Sequence, residues 1–317
     1  MRWEFVYKRP QHLINRLSAK YKVLVVEEPI GFQNNTEVKI NKISSSLHVI
    51  QPAINQLDEL GKYLRKYLKN KKYPVGWFYS ASFVGILDTL DFETIVYDCM
   101  DELSLFKGAP QKLIEQEEFL LSAADIVFTG GKSLYEAKKS KHYNIHCFPS
   151  SVEIDHFSNK KSDIIPTDIK NIAKPIIGYY GVIDERFDIE LLREAAIRKP
   201  EWSFVIIGPV IKIDPATLPV SPNIHYLGAK TYEELPVYLA GWDVALIPFL
   251  LNESTKYISP TKTPEYLASG VPVLSSAIVD VVTPYGLNNL VQIFDDADSF
   301  ILAGEKELAK KNTERRK

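Results

Sequence analysis

Cysteine is nearly absent from this 317-residue chain, which holds only Cys99 and Cys147. Two distant, unpaired cysteines build no disulfide framework and match no zinc-binding spacing, so a reducing compartment is their simplest setting. Long apolar runs are missing too. The longest, such as Val244–Leu251, fall far short of the ~20 residues of a membrane helix, and the N-terminus has no signal-peptide core. Together these absences predict a cytoplasmic protein, with peripheral contact on the inner membrane face as the most intimate membrane association. Nor does one sign of charge dominate: 38 Lys and Arg against 40 Asp and Glu leave a formal net charge of -2. General nucleic-acid binding therefore has no electrostatic basis, and any basic surface must be local.

What is present describes a folded chain. Hydrophobic residues make up 45% and charged residues 25%, the balance of a soluble globular protein, and the length suits two domains of ~100–200 residues each. A helix from Pro10 to about Lys20 precedes a strand over Lys22–Glu27. Residues 37–51 read as a hairpin, Leu57–Lys71 as a basic amphipathic helix, Val75–Ser80 and Thr94–Asp98 as strands, Pro110–Ala124 as a helix and Asp125–Thr129 as a strand. The polar stretch Ser158–Lys174 is the best linker candidate. After it the rhythm restarts: Ile176–Val182, Ser203–Ile207, Asn223–Leu227, Val244–Pro248 and Val271–Ser275 as strands, Ile189–Arg198, Tyr232–Ala240 and Pro260–Ser269 as helices. Strands alternating with helices predict an α/β protein of two Rossmann-like, doubly wound parallel-sheet domains, 1–165 and 166–317, facing a cleft at the carboxyl ends of their strands.

The sharpest passage is Ser259-Pro-Thr-Lys-Thr-Pro-Glu-Tyr-Leu-Ala-Ser-Gly-Val-Pro-Val. Ser259 suits an N-cap, Pro260 the first helical position, Gly270 a left-handed stop, and Pro272 blocks continuation. A helix N-terminus offers free N–H groups and partial positive charge to a phosphate. Lys262 in that first turn opposes the helix dipole unless an anion is near, so the sequence expects one. Glu265 shares a face with Lys262 and Thr261 and can accept hydrogen bonds from vicinal hydroxyls of a ribose. On spacing alone, an exposed Lys262–Glu265 surface pair explains the same residues equally well.

This passage resembles the signature helix in the C-terminal domain of GT-B glycosyltransferases of the glycosyltransferase 4-like, group 1 type. Ile177-Gly-Tyr-Tyr-Gly-Val-Ile-Asp-Glu-Arg-Phe-Asp resembles the first strand, glycine turn and helix of that domain, and Phe148-Pro-Ser-Ser-Val-Glu-Ile-Asp-His-Phe its interdomain segment. Arg2-Trp-Glu-Phe-Val-Tyr-Lys-Arg-Pro-Gln-His-Leu resembles a subgroup linked to bacterial surface polysaccharide and teichuronic acid. The resemblance implies a transferase moving sugar from a nucleotide-sugar donor to a glycan or lipid-linked acceptor in cell-envelope synthesis. It assigns the acceptor to the N-terminal domain and the donor to the C-terminal one. Gly181 would admit the phosphates, Arg186 and Lys262 neutralise them, Ser259 and Thr261 line the helix start, and Glu265 hold the ribose. No metal or other cofactor is implied, the donor being a substrate.

The sequence departs from that pattern where Tyr257 stands in place of an earlier glutamate, and where Arg186 is the only cation after the glycine turn. Gly181 can also be a plain turn glycine, and Arg186 can pair with Asp184 or Glu185. A nucleotide-sugar epimerase of the same fold, or a non-catalytic nucleotide-sugar-binding chain, fits the helix as well. Two features motivate the latter: Met1-Arg-Trp reads as a loop where a first strand is expected, and Lys306–Lys317 ends where a crossing helix normally follows.

In the N-terminal half, Asp98 and Asp101 at the end of a strand are candidates for a catalytic base or for acceptor ligands, although capping a following loop is the commoner role of Asp. His12 reads as a packed or surface histidine. The basic run over 62–72 could lie on an anionic membrane and bring the enzyme to a lipid-linked acceptor, or be a solvated face.

Overall fold

The computed structural model describes residues 2–29, 39–70, 72–105, 109–158 and 165–310. The chain divides into two compact units, Met1–Phe148 and Pro149–Lys317.

In the first unit, helix α1 (Arg9–Ser18) opens with Pro10 in its first turn and buries Gln11 and Ile14. The β-branched run Val23–Val26 forms β1, followed by the hairpin β2 (Lys39–Lys42) and β3 (Leu47–Gln51). β1 and β3 pair in parallel, giving a three-stranded sheet ordered β1-β3-β2. Four more strands, β4 (Lys72–Phe78), β5 (Asp91–Cys99), β6 (Ile126–Thr129) and β7 (Ile145–Cys147), form a second, parallel sheet in sequential order. Helix α2 (Leu60–Leu64) precedes β4, a 3-10 helix over Ala81–Asp88 joins β4 to β5, and helices α3 (Gln111–Ala123) and α4 (Lys132–Lys138) join β5 to β6 and β6 to β7. The sheets share a core in which Leu24 and Val26 of β1 and Tyr73 and Phe92 of β4 and β5 pack about Ile50, Leu60 and Leu90.

The basic helix expected over Leu57–Lys71 is cut short. A 3-10 turn over Leu57–Glu59 leads into α2, which ends at Leu64. Lys62, Lys66 and Lys69 would stack at helical spacing and repel, and Arg65 instead donates to the Asn70 carbonyl at 2.7 Å, closing a turn. Lys62, Lys66 and Lys69 remain exposed, with Tyr67 beside them. Among the described residues no helix is long and apolar enough to cross a membrane.

The second unit begins earlier than the expected split after 165. Its first helix, α5 (Ile154–Ser158), puts Phe157 into the second unit's core and stacks His156 on Tyr232 with ring centroids 4.3 Å apart. Burial of these rings fixes the segment to the C-terminal unit. Six parallel strands follow, β8 (Ile176–Tyr180), β9 (Ser203–Ile207), β10 (Ile224–Tyr226), β11 (Val244–Ile247), β12 (Val273–Ser276) and β13 (Gln292–Phe294), ordered β10-β9-β8-β11-β12-β13. They alternate with α6 (Ile189–Arg198), α7 (Leu235–Ala240), α8 (Lys262–Ser269), the short α9 (Val279–Val281) and α10 (Ala297–Ala309). β8, β9, β11 and β12 are buried along their whole length, as a sheet covered on both faces requires. Of the expected linker, residues 159–164 lie outside the described residues.

Candidate functional site

At the carboxyl end of β8, Tyr180 is followed by Gly181, whose φ of 139° lies where L side chains rarely go. A Cβ at Gly181 would come within 2.3 Å of Cε of Lys262. Glycine is thus needed there for a reason the sequence does not show: the Lys262 side chain passes over the bare backbone. Its Nζ lies 5.4 Å from the ring centroid of Tyr179 and 5.3 Å from that of Phe249, a cation–π seat that fixes the ammonium.

Lys262 is the first residue of α8, and Gly270 ends that helix with φ 74°, as expected. The start differs from expectation. Thr261, not Ser259, is the N-cap, and it makes no side-chain cap bond. Pro264 explains the shift, since a helix begun at Pro260 would place Pro264 beyond the first turn, where its missing N–H and its ring break the helical ladder. Beginning at Lys262 keeps Pro264 within the first turn. Ser259 and Thr261 lie half-buried on the lead into it.

Glu265 is not the carboxylate of an exposed surface pair. It is 9% exposed, and its Oε2 accepts a 2.5 Å hydrogen bond from the Tyr180 hydroxyl. Burial pushes its carboxyl up to about 7, against the Tyr180 bond and the charge of Lys262, which both favour the ionised form. Tyr180 is itself fixed, its backbone N–H donating to the Tyr266 hydroxyl at 3.1 Å and its ring edge-on to Tyr266. The end of β8 and the first turn of α8 thus bring together Gly181, Lys262 and Glu265.

Arg186 joins them from the loop after β8, its Cζ 5.9 Å from the centroid of the same Phe249 ring. It pairs with Asp184, Nε to Oδ1 at 3.0 Å and Nη2 to Oδ2 at 2.6 Å. Burial raises the Asp184 carboxyl, but the Arg186 bonds and charge outweigh it and hold the group below the ordinary carboxylate range. Two cations, a buried carboxylate and a helix N-terminus at the carboxyl ends of parallel strands can receive a diphosphate joined to a sugar hydroxyl pair.

The model of the glycosyl transferases group 1 family matches residues 174–309. These residues are similar to the group 1 glycosyl transferases. TuaH of Bacillus subtilis (strain 168), named for glycosyl transfer in teichuronic acid biosynthesis, is 24% identical over 220 residues, 63% of this chain. The chain spans 54% of the length of that relative. Sucrose-phosphate synthase of Thermosynechococcus elongatus aligns with a TM-score of 0.76 at 15% identity, covering 98% of this chain and 86% of its own. A UDP-forming α,α-trehalose-phosphate synthase of Burkholderia xenovorans aligns at 0.67 and 10% identity, covering 98% and 90%. The fold expected from the sequence, α/β with parallel sheets of GT-B type, is the fold found.

The second unit's site also depends on residues with no motif of their own in the sequence. Tyr179, Tyr180 and Phe249 seat Lys262 and Glu265. A tyrosine pair directly before the turn glycine is the local signal for two of them.

In the first unit the two candidate aspartates part company. Asp98, at the end of β5, is 0% exposed, and Arg9 reaches it with Nη2 to Oδ1 at 3.0 Å and Nε to Oδ2 at 3.4 Å. Burial raises its carboxyl while Arg9 favours ionisation. At the penultimate position of β5, Asp98 thus faces Arg9 from inside the unit. Arg9 also donates to the Phe148 carbonyl. Gln11 donates to the Trp3 and Val6 carbonyls at 3.0 and 2.9 Å and accepts from the Lys8 N–H, so the Arg-Pro-Gln-His motif pins the N-terminal loop. His12 packs against Tyr7, ring centroids 4.5 Å apart.

Asp101 is half-buried on the loop after β5. The next residue, Glu102, is bound at 2.8 Å by Lys138, which is 0% exposed and also bonds both oxygens of Glu117 at 2.9 Å. Tyr97 donates to the same Glu117 at 2.7 Å. Beside them the Cys99 thiol is pushed up to about 12 by burial, an inert sulfur at neutral pH. Among the described residues no three His, Cys, Asp or Glu side chains gather as a metal ion would need.

Proposed function

We propose that the protein transfers a sugar from a nucleotide-sugar donor to a glycan or lipid-linked acceptor in cell-envelope polysaccharide synthesis, with the donor as substrate and no resident cofactor. The observation that carries this reading is the meeting of Gly181, Arg186, Lys262 and Glu265 in the residues similar to the group 1 glycosyl transferases. Departure of a nucleoside diphosphate creates charge that preplaced cations and helix N–H groups stabilise. In this reading Lys262 and Arg186 meet the diphosphate, Thr261 and Ser259 flank it, and Glu265, aimed by Tyr180, takes the ribose hydroxyls. The N-terminal unit binds the acceptor, and Asp101 receives its hydroxyl proton or orients it.

TuaH supports the polysaccharide setting by its name, and the sugar-phosphate synthases support the fold. Exposed Lys62, Lys66 and Lys69 with Tyr67 support peripheral contact with an anionic membrane on the cytoplasmic side, at ~1 kcal/mol per basic residue near the lipid. The test is a donor screen with UDP-, GDP- and dTDP-sugars, following nucleoside diphosphate release with Glu265→Ala and Lys262→Ala as controls. Release by the wild type that both variants lose supports the reading. Absence of binding to every donor overturns it.

A further inference from the structure

Resting on the donor-site reading above, we propose that Asp184 is a resident anion that competes with the donor's diphosphate for Arg186 and Lys262, and so sets donor affinity. The cations of this site are not bare. Asp184, 6% exposed, takes Arg186 side-on through two hydrogen bonds, and its Oδ1 also accepts the Arg186 backbone N–H at 3.0 Å. Lys262 acts on the same carboxylate, its charge adding to that of Arg186 in holding the acid ionised. Both cations sit over one ring, that of Phe249. One carboxylate therefore partly neutralises the two charges offered to the phosphates.

The geometry also shows which partner moves. Asp184 is tied to the backbone by the Arg186 N–H, whereas the guanidinium is the end of a long side chain. A diphosphate carries more negative charge than a carboxylate and presents oxygens in the fork geometry that arginine favours. When it arrives, the guanidinium turns to the phosphate and Asp184 keeps its backbone bond. The donor gains Arg186 less the two bonds that Asp184 gives up, and it also meets the repulsion of the carboxylate left behind. Affinity is thereby held below what two cations alone would give, which favours release of the nucleoside diphosphate after transfer.

Calorimetric titration of the whole protein with UDP and with GDP at low salt tests this. Asp184→Asn keeps an oxygen for the Arg186 N–H and removes the charge, so the folded variant is expected to bind both probes about tenfold more tightly, with a gain that shrinks as salt is raised. In an Arg186→Met background the same substitution should yield a smaller gain, because the contested guanidinium is gone. Asp184→Ser, checked by thermal unfolding, carries the same expectation should the asparagine variant fold poorly. Wild-type binding with unchanged or weaker binding by folded Asp184→Asn overturns the proposal and leaves the donor-site reading standing. No binding of either probe by wild type and variant alike overturns both.

Discussion

Buried charge in the first unit is paired at Arg9–Asp98 and at Lys138, whereas the second unit adds a buried carboxylate and an ammonium held by uncharged groups. In the first, buried ions meet their opposites at two places: Arg9 holds Asp98, and Lys138 holds Glu102 and Glu117 together. In the second, Arg186 holds Asp184 in the same way, but the buried carboxylate of Glu265 meets a neutral phenol and Lys262 lies over aromatic rings. Opposite charges in direct contact satisfy one another and tie loops to the sheet, at a desolvation cost that the pairing offsets. A hydroxyl on a carboxylate and π faces under an ammonium orient these groups through contacts that carry no formal charge of their own. The first arrangement builds structure, and the second prepares a site.

That contrast can be broken by substitution, most forcefully at Lys138. Lys138→Met leaves two buried carboxylates facing each other and is expected to lower stability by about 3–5 kcal/mol, read as a fall in the urea midpoint. A loss below about 1 kcal/mol would show that the network contributes little. Glu265→Gln removes the charge while keeping the shape, and nucleotide-dependent turnover should fall by about a hundredfold or more, with little change in thermal unfolding. Lys262→Met should cost about tenfold or more in nucleoside diphosphate affinity yet under about 1 kcal/mol of stability, the reverse of Lys138→Met.

Smaller effects sharpen the same point through pH. The folded carboxyl of Glu265, at about 7, stands above its ordinary 4.5, so the folded state binds the extra proton between those values. Its contribution to stability is therefore full below the ordinary value and declines as pH rises through about 7. Ribose binding, which uses the ionised form as acceptor, should rise across that same range. Tyr180→Phe removes a hydrogen bond that favours the ionised form, so the midpoint of the binding profile should move to higher pH and affinity should drop about three- to tenfold. An unmoved midpoint would detach Tyr180 from the carboxylate.

Much of this architecture is legible in the sequence because it rests on local signals. Apolar strand runs such as Val244–Ile247, and Gly270 at the end of α8, are read directly from periodicity and backbone chemistry. The link between Lys262, Glu265 and Gly181 is legible only through the family resemblance of their two motifs. Local signals also mislead where two compete. Pro264 moves the helix start past Ser259, and crowded lysines end α2 early. The helix α4 and the strand β13 went unread because each is short and weakly patterned. Pairings across long stretches of chain leave no local trace, as with Arg9 and Asp98, 89 residues apart, or Tyr180 and Glu265, 85 apart. For that reason the Arg9 partner of Asp98, a candidate base or acceptor ligand, is not legible in the sequence.

The contrast between the units comes down to what Lys262 does, and thermal unfolding with and without a nucleoside diphosphate tests that most directly. A ligand that binds only the folded state raises the melting temperature by an amount that grows with the logarithm of its concentration over Kd. The wild type should melt higher in saturating UDP or GDP, whereas Lys262→Met without nucleotide should melt within about 2 °C of the unliganded wild type and gain clearly less from the same nucleotide concentration. A Lys262→Met protein that melts far below the wild type, or that is stabilised by nucleotide as fully as the wild type, would contradict the account.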